Sequence, residues 1–281
     1  MTIQPIKTGK IPIAEQNLFR LLDRHMAALD ERTVMAITSK LISICQGRFV
    51  RCNAADKQVL IESEADSFLP PDSNRHHVAL TIKERRLIPS AGIDESNADG
   101  RYILWPLAPQ CTANAVRSYL RDRFSRRRIG VIITDSTTAP LRCGVTGIAL
   151  AHSGFLALND YVGARDVFGR PLRMTKANVA DALAAAAVLV MGEGNERTPL
   201  AIITELPFVT FQNRDPSEAE LEMLRIKPED DLYAPLLQAV RWRRGAKAIR
   251  PTPGRSSRPQ PCEVATARRR PARWSPPPQV K

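Results

Sequence analysis

The stretch GVIITDSTTAPLRCGVTGIAL, Gly130–Leu150, decides the fold. Two apolar runs rich in Val and Ile flank a polar centre that contains proline and glycine, and this pattern predicts two buried strands joined by a turn. The polar centre is open to two interpretations. It is either a tight surface turn or a site at a strand end, where Asp135, Ser136 and Arg142 would hold a metal ion or a phosphate group.

Before this stretch, helical and strand patterns alternate without a repeat. Apolar residues at helical spacing from Leu18 to Leu29 predict an amphipathic helix of about four turns. The other elements predicted here are a strand at TVMAIT (33–38), a short helix in SKLISICQG that ends at Gly47, strands in HHVALTI and RRLIPSAGI, and a helix marked by Ala113, Val116, Leu120 and Phe124.

After the stretch, TKANVADALAAAAVLVMG (175–192) predicts a helix with Thr175 as its N-cap and Gly192 at its end. A strand is predicted at LAIIT (200–204), and Asp215 followed by a proline is typical of the start of another helix. A last helix is predicted around 232–242. Because the long polar stretches do not fit a regular β-α-β winding, the predicted fold class is α+β, with mixed sheets and packed helices.

The positive charge is concentrated at the carboxyl end. Residues 243–281 contain eleven of the Lys and Arg residues, one acid and eight of the 22 prolines, so they carry +10 of the formal net charge of +12. Such a segment buries little apolar surface and is predicted to be disordered. The predicted organisation is a domain at 1–242 and a basic tail at 243–281. The tail is either an incidental extension or an arm for nucleic acid or acidic lipid.

The cysteines and the apolar runs indicate the compartment. The five cysteines are scattered without a CxxC pair, which is typical of a reducing compartment and argues against a structural zinc site. No signal-peptide pattern and no apolar run of membrane-spanning length is present. A cytoplasmic location without membrane contact is therefore expected.

Two polar stretches follow predicted strands in the first half of the chain. In TSKLIS (38–43), Ser39 and Lys40 lie at a strand-to-helix turn, where main-chain N–H groups and an ammonium group bind phosphate. In GIDESN (92–97), Asp94 offers a hard oxygen ligand for Mg²⁺ or Mn²⁺, and Asn97 offers a hydrogen bond to a ligand. Taken singly, these stretches are equally well interpreted as a helix cap and an Asx turn.

Two further stretches complete the set. In TDS (134–136) a carboxylate and a hydroxyl are adjacent, as in sites where both bind one Mg²⁺ ion, and MGEGNERTP (191–199) is an acidic glycine-containing loop. Alternatively, the second is a solvated helix end. GxxxxGK[ST] and GxGxxG motifs are absent, which excludes a P-loop and a dinucleotide fingerprint.

In this order, the motifs TSKLISICQGR, GIDESN, GVIITDSTTAPLRCGVTGIAL, D-x-FGR (166–170) and VADALAAAAVLVMGEGNERTPLAII make the chain resemble the coenzyme F420-0:γ-glutamyl ligase family. The resemblance extends over roughly residues 1–240. It implies a ligase that activates a carboxylate as an acyl phosphate with GTP, after which the amine of L-glutamate attacks. It also implies Mg²⁺ or Mn²⁺, often with K⁺, and an intertwined homodimer.

The resemblance also assigns roles by motif. The metal-ligand positions are Asp94, Asp135, Ser136 and Glu193; the catalytic positions are Asp94, Asp135 and Lys40; and the nucleotide-binding positions are Ser39, Lys40, Asn97, Met191, Gly192, Glu193, Gly194, Asn195 and Glu196. Such a set neutralises charge during phosphoryl transfer and needs no nucleophilic side chain.

The chain departs from the family pattern at three places. Gln46 replaces the usual glutamate after the TSK helix, Ile44 replaces a polar residue, and Cys143 replaces an aromatic one. These changes leave a folate-like or other acceptor open beside F420-0. Two other functional classes also stay open: a nucleic-acid-binding protein that acts through its tail, and a non-catalytic scaffold in which the acids are dispensable.

Overall fold

The computed structural model describes residues 1–246, in which strands and helices are mixed. The strands are β1 (Thr2–Ile6), β2 (Thr33–Thr38), β3 (Phe49–Arg51), β4 (Ser67–Leu69), β5 (Leu80–Lys83), β6 (Arg86–Pro89), β7 (Arg101–Ile103), β8 (Ile129–Thr138), β9 (Val145–Ser153), β10 (Leu158–Asp160), β11 (Lys176–Asn178), β12 (Leu200–Thr204) and β13 (Arg243–Arg244). The helices are α1 (Leu18–His25), α2 (Ser39–Cys45), α3 (Lys57–Glu64), α4 (Pro109–Phe124), α5 (Val179–Met191), α6 (Glu218–Glu222) and α7 (Ala234–Gln238). The predicted α+β class is confirmed.

The central sheet has five strands in the order β1, β12, β2, β8, β9. β2 and β8 run parallel, with Thr33 opposite Ile129 and Thr38 opposite Thr134, while the other neighbours are antiparallel. Their apolar runs are continuous because both faces of the sheet are covered. Since parallel strands end at the same edge, the TSKLIS stretch lies beside the TDS stretch.

Alternate residues of β2 enter two separate cores. Met35 and Ile37 pack with α1, α2 and α4 on one face of the sheet, whereas Val34 and Ala36 pack with α5 on the other. This follows from the two-residue period of a strand, in which successive side chains point to opposite faces. The central sheet is therefore held rigidly from both sides, and the loops at its carboxyl edge start from fixed positions.

A second sheet, in the order β13, β4, β5, β6, packs beside the first. Arg86 on β6 joins the two, because its guanidinium donates to the main-chain oxygens of Ala149 and Leu150 at 3.2 and 3.0 Å. The strand β6 leads directly into GIDESN, so this docking brings Asp94 to the edge of the central sheet. Two-stranded ribbons, β3 with β7 and β10 with β11, complete the described strands.

Four of the predicted helices begin or end at the wrong residue. The helix α1 is about half its predicted length, because Met26 has extended backbone angles (φ −123°, ψ 108°). The chain nevertheless keeps Met26 and Leu29 buried, so their apolar spacing continues in a loop. The helix α5 is capped by Asn178 rather than Thr175, since residues 176–178 pair with β10 as a strand. The last helix, α7, is also shorter than predicted.

Asp215 does not cap a helix. Its Oδ1 accepts hydrogen bonds from Arg117 at 3.2 Å and Ser153 at 3.1 Å, so the carboxylate is occupied by the central sheet and α4. Ser217 caps α6 instead, in a reciprocal capping box with Glu220. The predicted start of this helix was therefore two residues early.

The described fold continues past residue 242. Arg243 and Arg244 pair with Phe68 and Ser67 as β13. The main chain of Gly245 lies so close to Ala65 that a Cβ atom there would be 2.0 Å from its carbonyl oxygen. The predicted boundary therefore moves to at least residue 246. The predicted disorder of the remaining tail concerns residues 247–281, which lie outside the described residues.

Candidate active site

A cavity of about 1010 Å³ opens at the carboxyl edge of β2 and β8. The four stretches that the sequence singled out meet here, although up to 150 residues separate them along the chain. All the predicted site residues line the cavity: Ser39, Lys40, Asp94, Asn97, Asp135, Ser136, Met191, Gly192, Glu193, Gly194, Asn195 and Glu196. The fold therefore brings the whole predicted set together, while the roles assigned to its members stay predictions.

Asp135 lies at the base of this cavity with both oxygens bonded. Ser39 Oγ donates to Oδ1 at 3.1 Å, and the indole N–H of Trp105 donates to Oδ2. Burial raises the pKa of Asp135 to about 6, and the nearby Asp94 also raises it, although the donated hydrogen bonds act in the opposite direction. The carboxylate is therefore buried at an energetic cost that a bound cation would offset.

Lys40 and Asp94 form an ion pair in the wall of the cavity. Lys40 Nζ lies 2.5 Å from Asp94 Oδ2, and it also donates to the main-chain oxygen and Oγ of Ser96 at 2.9 and 3.0 Å. Burial raises the pKa of Asp94, but the hydrogen bonds and charge of Lys40 and the bonds from Ser96 outweigh it, so the pKa is lowered. Asp94 is thus an ionised ligand position with a cation at its side.

The loop after α5 closes one side of the cavity. Asn97 Nδ2 donates to the oxygen of Gly194 at 2.9 Å, and Ser136 Oγ donates to Glu193 Oε1 at 2.6 Å. Gly192 has a φ of 81°, and a Cβ atom there would lie 2.4 Å from the carboxyl carbon of Glu196. The tight turn therefore needs glycine, and its two bonds link the loop to the GIDESN and TDS stretches.

This constellation is accompanied by a direct sequence match. The profile of the family described as "F420-0:Gamma-glutamyl ligase" matches residues 12–205, more than half of the chain. The chain belongs to the F420-0:γ-glutamyl ligase family. Two Methanococcus maripaludis proteins named "Coenzyme F420:L-glutamate ligase" are 40% and 38% identical to it over 72% and 77% of this chain and 85% and 90% of their own lengths.

Two further relatives carry the same name. A Methanopyrus kandleri protein is 32% identical over 73% of this chain and 87% of its own length. The match to a Methanocaldococcus jannaschii protein, at 39% identity, covers 56% of this chain and 60% of that protein. Membership of a ligase family confirms both the predicted resemblance and the predicted class of enzyme, an acid–amino-acid ligase. Within residues 1–246, no helix is long and apolar enough to cross a membrane.

In this ligase-family chain, three cavity residues were missed at the sequence level. Lys10 and Arg197 line the cavity as additional cations, and Trp105 holds Asp135 from below. Basic residues in the GKIP and NERTP segments were a usable signal for the first two. Trp105 gave none, because its partner lies thirty residues further along the chain. Arg142, in contrast, lies exposed at the turn between β8 and β9 and is outside the cavity lining.

The cavity of this family member suits divalent cations by its charge and donor chemistry. Among residues 1–246, five carboxylates line it (Asp94, Asp99, Asp135, Glu193 and Glu196) against the three cations Lys10, Lys40 and Arg197. Oxygen donors of this kind are those that Mg²⁺ and Mn²⁺ prefer. Within residues 1–246, however, no three His, Cys, Asp or Glu side chains lie together as a group that could hold a metal ion. The oxygen donors present suit such ions, but Asp94 is paired with Lys40 and Glu193 accepts a hydrogen bond from Ser136.

Proposed function

We propose that this protein is a nucleotide-dependent ligase that adds L-glutamate to a carboxylate acceptor such as coenzyme F420-0 through a γ-glutamyl link. The observation that carries the proposal is the cavity at the ends of β2 and β8, where four of the five family motifs meet; D-x-FGR (166–170) lies outside its lining. The names of the relatives support the acceptor and the amino acid. GTP is the proposed energy source. A folate-like acceptor is the alternative, and of the three departures from the family pattern only Ile44 lines the cavity.

The proposed reaction has two steps. An oxygen of the acceptor carboxylate attacks the γ-phosphorus of GTP, which forms an acyl phosphate and releases GDP. The amine of L-glutamate then attacks the acyl carbon, an amide bond forms, and inorganic phosphate leaves with the electrons of the broken C–O bond. Both steps bring anions together, so the protein has to neutralise charge and orient the reactants.

The chain supplies the orienting groups and part of the neutralising charge. Lys10, Lys40 and Arg197 are the cations of the cavity, and they are the proposed partners of the phosphate groups. Asn97 and the loop 191–196 are proposed to bind the nucleotide, since the bond from Asn97 to Gly194 already joins the two walls. No nucleophilic side chain takes part, because the acceptor carboxylate and the amine are the nucleophiles.

Asp94, Asp135, Ser136 and Glu193 are the proposed holders of Mg²⁺ or Mn²⁺, with K⁺ as a further ion in the family. Divalent cations would supply charge neutralisation and Lewis acidity to the phosphate groups. The charge of the cavity supports this assignment. With carboxylates in excess over basic side chains, the lining alone would repel a triphosphate.

A homodimer is part of the proposal. The segment between β10 and β11 exposes large apolar side chains, with Val167, Phe168 and Met174 94%, 80% and 85% exposed. Exposed apolar groups clustered on one projecting segment are typical of an interaction surface. The cytoplasmic location and a role of the basic tail in binding nucleic acid stay predictions.

The test is direct. The full-length protein is incubated with isotope-labelled L-glutamate, Mn²⁺, either GTP or ATP, and a panel of acceptors that includes F420-0 and folates. We expect one acceptor to gain the mass of a glutamyl group, with GDP released in equal amount. If no acceptor gains glutamate with either nucleotide, the proposed function is wrong. If a folate is glutamylated and F420-0 is not, the ligase class stands and the acceptor changes.

A further inference from the structure

Trp105 lies behind the cavity lining, in contact with Asp135. Its side chain is nearly inaccessible, at 3% exposure, and its indole N–H donates to Asp135 Oδ2. With Ser39 Oγ on the other oxygen, the carboxylate has a donor at each end. Two donors at opposite ends restrict rotation of a carboxylate about its Cβ–Cγ bond. The orientation of Asp135 therefore depends on how firmly the indole itself is held.

The indole is held on one side by the glycine of GIDESN. A Cβ atom at Gly92 would lie 2.0 Å from Trp105 Nε1, so only a residue without a side chain allows the indole to reach Asp135. The φ of Gly92 is also positive, at 71°, which favours glycine independently. Gly92 thus affects Asp135 indirectly, because it leaves the space that the indole of Trp105 occupies.

The indole also packs against a group of charged side chains, of which Lys83 is buried and Glu64 and Arg48 are partly buried. Lys83 Nζ lies 5.0 Å from the centre of the ring, in cation–π range, and is bonded to Glu64 at 2.9 Å. Arg48 links this pair back to the tryptophan, since it pairs with Glu64 at 2.8 Å and donates to the main-chain oxygen of Trp105 at 3.2 Å. Lys83 is 1% exposed, and a buried pair of this kind resists rearrangement because separation leaves a buried charge.

From this geometry we propose that Trp105 is a positioning residue for Asp135, and that its indole N–H sets the affinity of the cavity for a divalent cation. The inference rests on the proposed function for the role of the cation, but the contacts that carry it do not. Groups that orient a metal-binding carboxylate through a hydrogen bond change the affinity by about 10- to 100-fold when they are removed.

The first experiment compares two tryptophan variants. Trp105→Phe keeps an aromatic ring and removes the N–H donor. Trp242→Phe is the matched control, because the indole of Trp242 also donates to an oxygen, that of Leu237 at 2.7 Å, but is not part of the cavity lining. Mn²⁺ is titrated into each protein without nucleotide or acceptor. We expect about 10- to 100-fold weaker binding by Trp105→Phe only. Equal affinities in the wild type and both variants would overturn the inference.

A second measurement decides the question if Trp105→Phe does not fold. The chain has three tryptophans, at 105, 242 and 274. In the double variant Trp242→Phe with Trp274→Phe, fluorescence reports on Trp105 alone, and Mg²⁺ avoids paramagnetic quenching. We expect a saturable change in emission that disappears when Asp135→Asn is added. Emission that Mg²⁺ leaves unchanged contradicts the inference.

The two proposals fail separately. Absence of a glutamylated product with every acceptor refutes the proposed function, whereas the titrations contain no substrate and report on Trp105 alone. A wild type that forms product while Trp105→Phe binds Mn²⁺ normally refutes only the positioning role.

Discussion

The two ends of β8 carry charged clusters of opposite character. At its amino end, buried Arg117 donates to the oxygens of Ile129 and Gln212 and to the Asp215 carboxylate, so its charge is matched within the protein. At its carboxyl end, Asp135 faces a cavity in which carboxylates outnumber basic side chains. The same strand thus ends in a structural ion pair on one side and in unbalanced charge on the other. A ligand is therefore expected at the carboxyl end of β8, where the charge is not matched within the described residues.

The largest expected effect of a substitution is on activity, at the carboxyl end of β8. We expect Asp135→Asn to lower kcat/KM for glutamate addition by about 10³-fold or more, since a partly buried carboxylate at the proposed phosphate site is lost. The free energy of unfolding should stay within about 1 kcal/mol of the wild type, because the amide avoids the desolvation that raises the pKa of Asp135. Steady-state kinetics and urea unfolding check the two halves.

The control for this variant is Asp122→Asn, which removes an exposed carboxylate on α4 that pairs with Arg121. Its kinetics should match those of the wild type. A loss of stability in Asp135→Asn without a loss of activity would reverse the assignment of the two ends.

At the amino end of β8, Arg117→Met should lower stability rather than activity. It removes the Arg117 donor from the carbonyl oxygens of Ile129 and Gln212 and from Asp215, which keeps its bond from Ser153. We expect the free energy of unfolding to fall by about 3 kcal/mol. This is the low end of the range for broken buried pairs, because half-exposed Asp215 regains water. Arg121→Met, one turn along the same helix and exposed, should cost less than about 0.5 kcal/mol. Similar losses in both variants would contradict the structural role.

His152, which lies beside the amino half of β8, should make the free energy of unfolding depend on pH. It lies on β9 opposite Ile132, it is 2% exposed, and its Nε2 atom has no hydrogen-bond partner among the described residues. Burial lowers the pKa of His152 from 6.5 to about 4. Since the unfolded chain takes up the proton first, stability is fully present above pH 6.5. It should fall by about 2 to 3 kcal/mol between pH 6.5 and 4.

The measurement is the free energy of unfolding as a function of pH, compared between the wild type and His152→Gln. The variant should lose most of the fall in this window, whatever its stability at neutral pH. Parallel curves for the two proteins would show that His152 is not the group responsible.

The smallest expected effect is on nucleotide binding, at the carboxyl end of β8. Asn97→Ala removes the bond to Gly194 that joins the loop 191–196 to the opposite wall. We expect KM for GTP to rise about tenfold, or about 1.4 kcal/mol, with a smaller change in kcat. Asn159→Ala removes a comparable side-chain bond to Phe208, outside this cavity, and should leave KM unchanged. An unchanged KM in Asn97→Ala would remove the loop from the nucleotide site.

Much of this arrangement was predictable because it depends on local pattern. The apolar runs around Met35 and Ile132 predicted strands, and the structure shows them buried on both faces. The hydroxyl, carboxylate and glycine residues after them marked the edge where the cavity lies. The ordered motifs then pointed to the family that the profile match shows. Strand ends and helix starts follow from neighbours within a few residues, and such neighbours are visible in a linear sequence.

Other features were decided only in three dimensions. Asp215 was expected to cap a helix because the adjacent proline is a local signal, but Arg117, 98 residues away, binds it instead. The pairing of β13 with β4, and the hydrogen bond from Trp105 to Asp135, likewise join segments whose own sequences carry no trace of the partner. The sequence by itself determined which residues carry the chemistry and on which elements they lie. The tertiary structure alone decided which charges are matched and which are left for a ligand, because electrostatic partners are chosen by distance in space.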